Sequence, residues 1–134
     1  MKFLHITLVS CMAISAFGLA MAEPIPMTVE EHFSIAAGNT EVGKNDSGGE
    51  FAVFMTKEGK RKLRVTSTDG RMTYEDEGQL TIENGTYCSQ WKRMNQGRKV
   101  CGIKVFRDGD AFRSVRPDGS GSLHRFEPGN SRGL

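Results

Sequence analysis

The chain has 134 residues, 37% of them hydrophobic and 25% charged, with a formal net charge of +2. A balance so near neutral excludes a nucleic-acid-binding surface of the usual basic kind. No apolar run beyond the N-terminus is long enough to span a bilayer, so a soluble domain is expected.

The first 22 residues read as a secretory signal cleaved after Ala22. Met1-Lys2 is a short basic start, residues 3–20 are almost continuously apolar, and Ala20-Met21-Ala22 is a small-residue cleavage site. Leu8-Val9-Ser10-Cys11 has the shape of a lipobox, but lipidation at Cys11 would leave a greasy segment at the new N-terminus, so cleavage after Ala22 is preferred. The expected destination is the periplasm or the exterior. Removing 22 of 134 residues leaves 112, the size of one domain. Its expected parts are an extended leader at 23–27, a β-domain at 28–130 and a frayed tail at 131–134. Residues 23–58 carry seven acids and two lysines, whereas residues 59–134 carry fifteen basic and nine acidic side chains, which allows one acidic and one basic face.

The two prolines of Glu23-Pro24-Ile25-Pro26 keep the leader extended. Thr28-Val29-Glu30-Glu31 then matches a capping box, and Val29, His32, Phe33, Ile35 and Ala36 recur at helical spacing before Gly38, so one short helix is predicted over 29–37. From Asn39 onward the punctuation is that of a β-meander. Turn signals fall at Asp46-Ser47-Gly48-Gly49, Glu58-Gly59, Asp69-Gly70, Glu77-Gly78, Asn84-Gly85, Asp108-Gly109 and Asp118-Gly119. Apolar alternation lies between them, in Phe51-Val53-Met55, Leu63-Val65, Met72-Tyr74, Leu80-Ile82 and Cys101-Ile103-Val105, more weakly in Phe112-Ser114 and Leu123-Phe126. Seven or eight short strands joined by short turns pair with their neighbours. The expected fold is therefore mainly β, an antiparallel meander closing into a small lipocalin-like or partly open barrel, with the helix covering one end.

Residues 85–110 hold the densest strand signal, the single Trp and two cysteines. Strands at 86–92 and 98–107 about a tip at 93–97 set Cys88 opposite Cys101, within the reach of a cross-strand disulfide. A bridge closing so short a loop contributes on the order of 3 kcal/mol in the chain-entropy model. The same hairpin supplies the candidate binding residues: Trp91, Lys92, Arg93, Arg98 and Lys99 bring an aromatic group and four cations to one tip, suited to an acidic protein cleft, an anionic glycan or a membrane surface. Lys60-Arg61-Lys62 and Arg64 form a second basic group, read as the solvated outer face of a strand.

Enzymatic chemistry has little to stand on. His32 and His124 lie far apart in sequence, read as a core-edge helix residue and an exposed strand residue, and the cysteines are committed to each other, so neither a metal nor any other cofactor is expected. No Ser sits in a G-x-S-x-G elbow. Glu75-Asp76-Glu77 reads as a solvated turn, and Asp108-Gly109-Asp110 as hairpin chemistry in place of a calcium loop.

Gly38-Asn39-Thr40, Gly48-Gly49-Glu50-Phe51-Ala52-Val53-Phe54, Tyr87-Cys88, Cys101, Gly109-Asp110 and Gly129-Asn130 follow one another in an order that resembles a widespread group of small exported bacterial proteins of unknown function. The resemblance covers most of 28–130 and implies no catalytic residues; the long basic hairpin at 91–99 departs from it. A fainter similarity, carried by Ser47-Gly48-Gly49-Glu50-Phe51 and Lys57-Glu58-Gly59, is to periplasmic lysozyme inhibitors. The sequence thus leads to an exported, non-enzymatic binding module that uses the hairpin tip and the barrel mouth, for a protein, a glycan or a small apolar ligand. Inhibition of a cell-wall hydrolase is the alternative, and a hydrolase with an unrecognised site the third.

Overall fold

The computed structural model of the chain describes residues 22–45 and 47–134. The expected signal segment, apart from Ala22, and the lipobox cysteine lie outside them, as does Asp46. The elements in order are β1 (Ile25–Met27), α1 (Val29–Ala36), β2 (Thr40–Lys44), β3 (Glu50–Met55), β4 (Lys60–Thr66), β5 (Thr73–Glu83), β6 (Thr86–Trp91), a 3-10 turn (Met94–Gly97), β7 (Val100–Asp108), β8 (Ala111–Val115) and β9 (Gly121–Glu127).

From β2 to β9 every strand pairs antiparallel with its neighbour in sequence, and β9 returns to pair with β2. The result is a closed eight-stranded up-and-down barrel, as the meander of short strands and turns led one to expect. Closure leaves no free edge along the wall, the usual hazard of an antiparallel sheet. The leader contributes a ninth strand: β1 joins β7 at residues 105–107, on the edge that β6 has left after Ile103.

Helix α1 forms where the capping box placed it. The Thr28 hydroxyl accepts from the backbone N–H of Glu31 at 3.1 Å, and the Glu31 carboxylate accepts from the backbone N–H of Thr28 at 3.2 Å. Gly38, at φ +78°, then takes the left-handed turn that a Cβ would strain. Val29 and Ala36 of the helix are buried against Met55, Leu80, Tyr87 and Val105, so α1 plugs one end of the barrel. A second apolar cluster, Val53, Leu63 and Trp91, lies apart from it, with Met94 of the 3-10 turn packed against it. No helix among the described residues is long and apolar enough to cross a membrane.

Three expectations are corrected. Glu77-Gly78 is not a turn: β5 runs through it as one strand of 11 residues. The glycine serves packing instead, since a Cβ on Gly78 would lie 2.5 Å from Cε3 of Trp91 and 2.5 Å from the carbonyl oxygen of Gln90. Gly78→Ala is therefore expected to destabilise the fold by about 1–3 kcal/mol, the usual cost of overpacking, seen as a lower urea midpoint with unchanged slope. Residues 40–44, assigned to no strand by alternation, form β2. The tail does not fray: Ser131 N–H donates to the Thr40 hydroxyl at 3.2 Å, and Arg132 pairs with Glu127 at 2.8 Å.

Cys88 and Cys101 form the expected disulfide. The register around it slips, Tyr87 facing Ile103 and Ser89 facing Val100, so Cys101 and Gly102 together oppose Cys88 as a β-bulge with Gly102 at φ +76°.

Candidate functional site

Alternation along the strands decides what faces the barrel interior. Leu63 and Val65 of β4 share parity with Arg61, Tyr87 and Ser89 of β6 share it with Trp91, and Phe126 of β9 shares it with His124. Basic and imidazole side chains are thereby carried inside together with the apolar ones. Between the two apolar clusters they enclose a cavity of about 280 Å³, on whose wall stand Arg61, Glu41, His32, Ser89, Trp91 and Arg116.

Arg61 is the unusual member. Its guanidinium lies over the Trp91 ring, 4.2 Å from the centroid. Nη2 donates to the Ser89 hydroxyl and to the Gln79 carbonyl, the latter at 3.3 Å. The Nε–H is buried and hydrogen-bonds to no protein group. Burial pulls the Arg61 pKa down to about 10, against the opposing charge of Glu41; it remains a cation at any physiological pH.

Glu41 stands in the same cavity and also faces a buried histidine pair. His32 and His124, 3% and 1% exposed, share a hydrogen bond between their Nε2 atoms at 2.9 Å. The direction of each bond in this chain follows from its far end. The Tyr87 hydroxyl donates to the Val29 carbonyl at 2.9 Å, so toward His32 Nδ1, 3.0 Å away, its oxygen is the acceptor. His32 therefore carries its proton on Nδ1 and accepts at Nε2, and His124 donates from Nε2. His124 Nδ1 remains: it makes no hydrogen bond and lies 3.5 Å from a Glu41 carboxylate oxygen. Burial, with His124 adding and the charge of Glu41 opposing, lowers the His32 pKa to about 4. Burial likewise raises the Tyr87 pKa above the usual phenol range. Aromatic rings enclose His32, those of Tyr87, Phe112 and Phe126 lying 5.3–5.7 Å from it between centroids.

The hairpin residues meet a different fate from the one expected. Trp91 is buried and turned inward beneath Arg61, away from the surface cations of the tip. Those cations are exposed, but most are engaged by the barrel's own acids: Lys92 with Glu77 at 2.5 Å, Lys99 with Glu83 at 2.6 Å, and Arg93 with the Asp76 carboxylate at 3.9 Å. Arg98 donates to the Asn95 carbonyl at 3.2 Å. The tip bends back over the barrel, so that Met94 and Asn95 line the cavity, and Asn95 and Gln96 hold positive φ there.

Asp76 anchors that bend and corrects the expected solvated turn. Its side chain is 1% exposed and accepts from the backbone N–H groups of Glu77, Arg93 and Met94, at 2.9, 3.1 and 2.9 Å, and from the Tyr74 hydroxyl at 3.3 Å. Burial alone would raise its pKa, but the three backbone donors hold it below the usual carboxylate range.

Sequence reasoning missed Glu41, Arg61 and the histidine pair. For Arg61 and His124 the signal was present as strand parity. Hydropathy placed His124 outside, whereas it is buried and its neighbour Leu123 is 45% exposed. Comparison of the chain with protein-family models, with curated proteins and with solved structures finds no match.

Proposed function

We propose that this protein is an exported, non-enzymatic binding module that holds one small molecule inside its barrel. The observation that carries this is the cavity of about 280 Å³, set between two apolar clusters in a closed barrel and lined by apolar and polar side chains alike. Eight strands leave an interior of the size that holds side chains or one small ligand, and concave, mostly apolar space with a few placed polar groups is how small-molecule sites are built. Residues 92–99 then act as a cover over the mouth. The tip reading loses support because Trp91 faces inward and the cations at 92, 93 and 99 are paired within the molecule. Export rests on the signal-like N-terminus together with a disulfide suited to an oxidising compartment.

Trp91 is the single tryptophan and stands on the cavity wall, so its emission reports occupancy directly. Titration with 1-octanol is expected to shift that emission along a saturable curve, and Ser114→Leu, which places a larger side chain on the cavity wall, is expected to abolish the response. A linear, non-saturating response identical in both proteins would overturn the interior site.

A further inference from the structure

We propose that Arg61 is an anion anchor, and that the barrel selects a small organic monoanion, an acid group on an apolar body, with the acid held against the Nε edge of the guanidinium. This rests on the interior-site reading above and names the chemistry of its ligand.

A guanidinium is a costly group to bring inside a barrel, because burial removes its hydration. Neighbours compensate only in part. Ser89 and the Gln79 carbonyl take Nη2, the Trp91 face takes the cation from one side, and the Nε–H is left without a protein acceptor. Of the side-on fork that a carboxylate uses on arginine, the Nη2 hydrogens are already given to Ser89 and Gln79, so the Nε–H is the donor left for a planar acid. Stacking on Trp91 and the bonds from Nη2 fix the plane of that fork, so the group is oriented before a ligand arrives.

The charges facing the cavity favour the same sign. Arg61 and Arg116 stand on its wall against one carboxylate, Glu41, and that carboxylate is turned toward His124 at 3.5 Å. His32 is neutral, as its hydrogen bonds require. The rest of the lining is mainly apolar, with Phe51, Val53, Leu63, Val65, Leu80 and Ile103 available to the ligand's body. A ligand without an apolar part would leave that wall unused, and a cation would meet Arg61 directly.

Three probes with one tail separate these possibilities: octanoate, 1-octanol and octylammonium, each titrated at pH 7.5 against the mature oxidised protein and followed through Trp91 emission and calorimetry. Octanoate is expected to bind about tenfold or more tighter than octanol, the effect of one charge-assisted hydrogen bond in a buried site, and octylammonium more weakly than either. Arg61→Met is expected to remove the preference for octanoate, so that the octanoate and octanol affinities of the variant come within about threefold of each other; Arg61→Gln repeats the test with a polar side chain should the Met variant not fold. Equal affinity for octanoate and octanol in the parent would overturn the anion anchor and leave the interior site standing. An octanoate preference that survives both substitutions would also overturn it. Absence of saturable binding by all three probes would overturn both.

Discussion

Acidification from pH 7 to pH 4 is expected to cost the folded protein about 2–3 kcal/mol through one residue, His32. Its pKa in the fold is about 4, held down chiefly by burial. Unfolded, it returns to about 6.5. Between those values the unfolded chain binds the proton and the folded chain does not, so stability rises with pH across the window and falls as pH drops through it. The groups facing His32 are the Tyr87 hydroxyl, His124 and, beyond it, Glu41, while Phe112 and Phe126 enclose it. Protonation at its Nε2 would set one N–H donor against another, that of His124. Carboxylates also lose stability on acidification, but at lower pH. Glu127, held near 2 by the Arg132 side chain and Ser131, contributes above the ordinary carboxylate range and loses that contribution only below it. Urea midpoints measured at half-unit steps should therefore decline from pH 6.5 in the parent and stay level to pH 4.5 in His32→Gln. A parent curve as level as that of the variant would rule out a buried, neutral imidazole.

Asp76→Ala is expected to destabilise the fold by about 3–5 kcal/mol, the range found when a buried charge-assisted network loses its central partner. Three backbone N–H groups would lose their acceptor at once, two of them, at Arg93 and Met94, belonging to the residues that bend over the barrel mouth. Asp76 is buried in the middle of β5, so water replaces the lost carboxylate poorly. The damage should be concentrated at the tip. Limited trypsin treatment is the second readout: cleavage after Lys92 and Arg93 should accelerate in the variant, while peptide bonds of β3 and β4 remain protected. Uniformly faster cleavage along the chain would mean that Asp76 supports the barrel as a whole and not the cover.

Much of the architecture can be read from local chemistry. Thr28 and Glu31 mark the start of α1 because the capping groups lie within one turn of each other. Asn84 and Gly85, both at positive φ, mark the β5–β6 turn because few other residue pairs tolerate that backbone. The site is less legible. Gly78 carries the same sequence signal as a turn glycine, yet its role depends on Trp91 arriving from the next strand, which no local window contains. His32 and His124 are 92 residues apart and meet only when the barrel closes. Arg61 sits in a run of cations and looks like a solvated strand face until parity with Leu63 and Val65 is taken as decisive. Hydropathy and parity disagree at exposed Leu123 and buried His124, and closure of the barrel decides in favour of parity.

The pairing of β2 with β9 differs in kind from the rest of the wall. Every other ladder of the barrel joins strands adjacent in sequence, and so forms at small loop-closure cost; this one brings Thr40 to Glu127 across nearly the whole domain. It is the seam of the molecule and the step against which the entropy of closure stands. Beside the ladder itself, side-chain bonds hold it, the Thr40 hydroxyl to the Gly129 carbonyl and the Gly129 N–H to the Asn39 side chain, while His124 of β9 is also tied to His32 of the helix. Before the seam shuts there is a curled sheet with no inside. The interior of the barrel thus exists only once this one seam is shut.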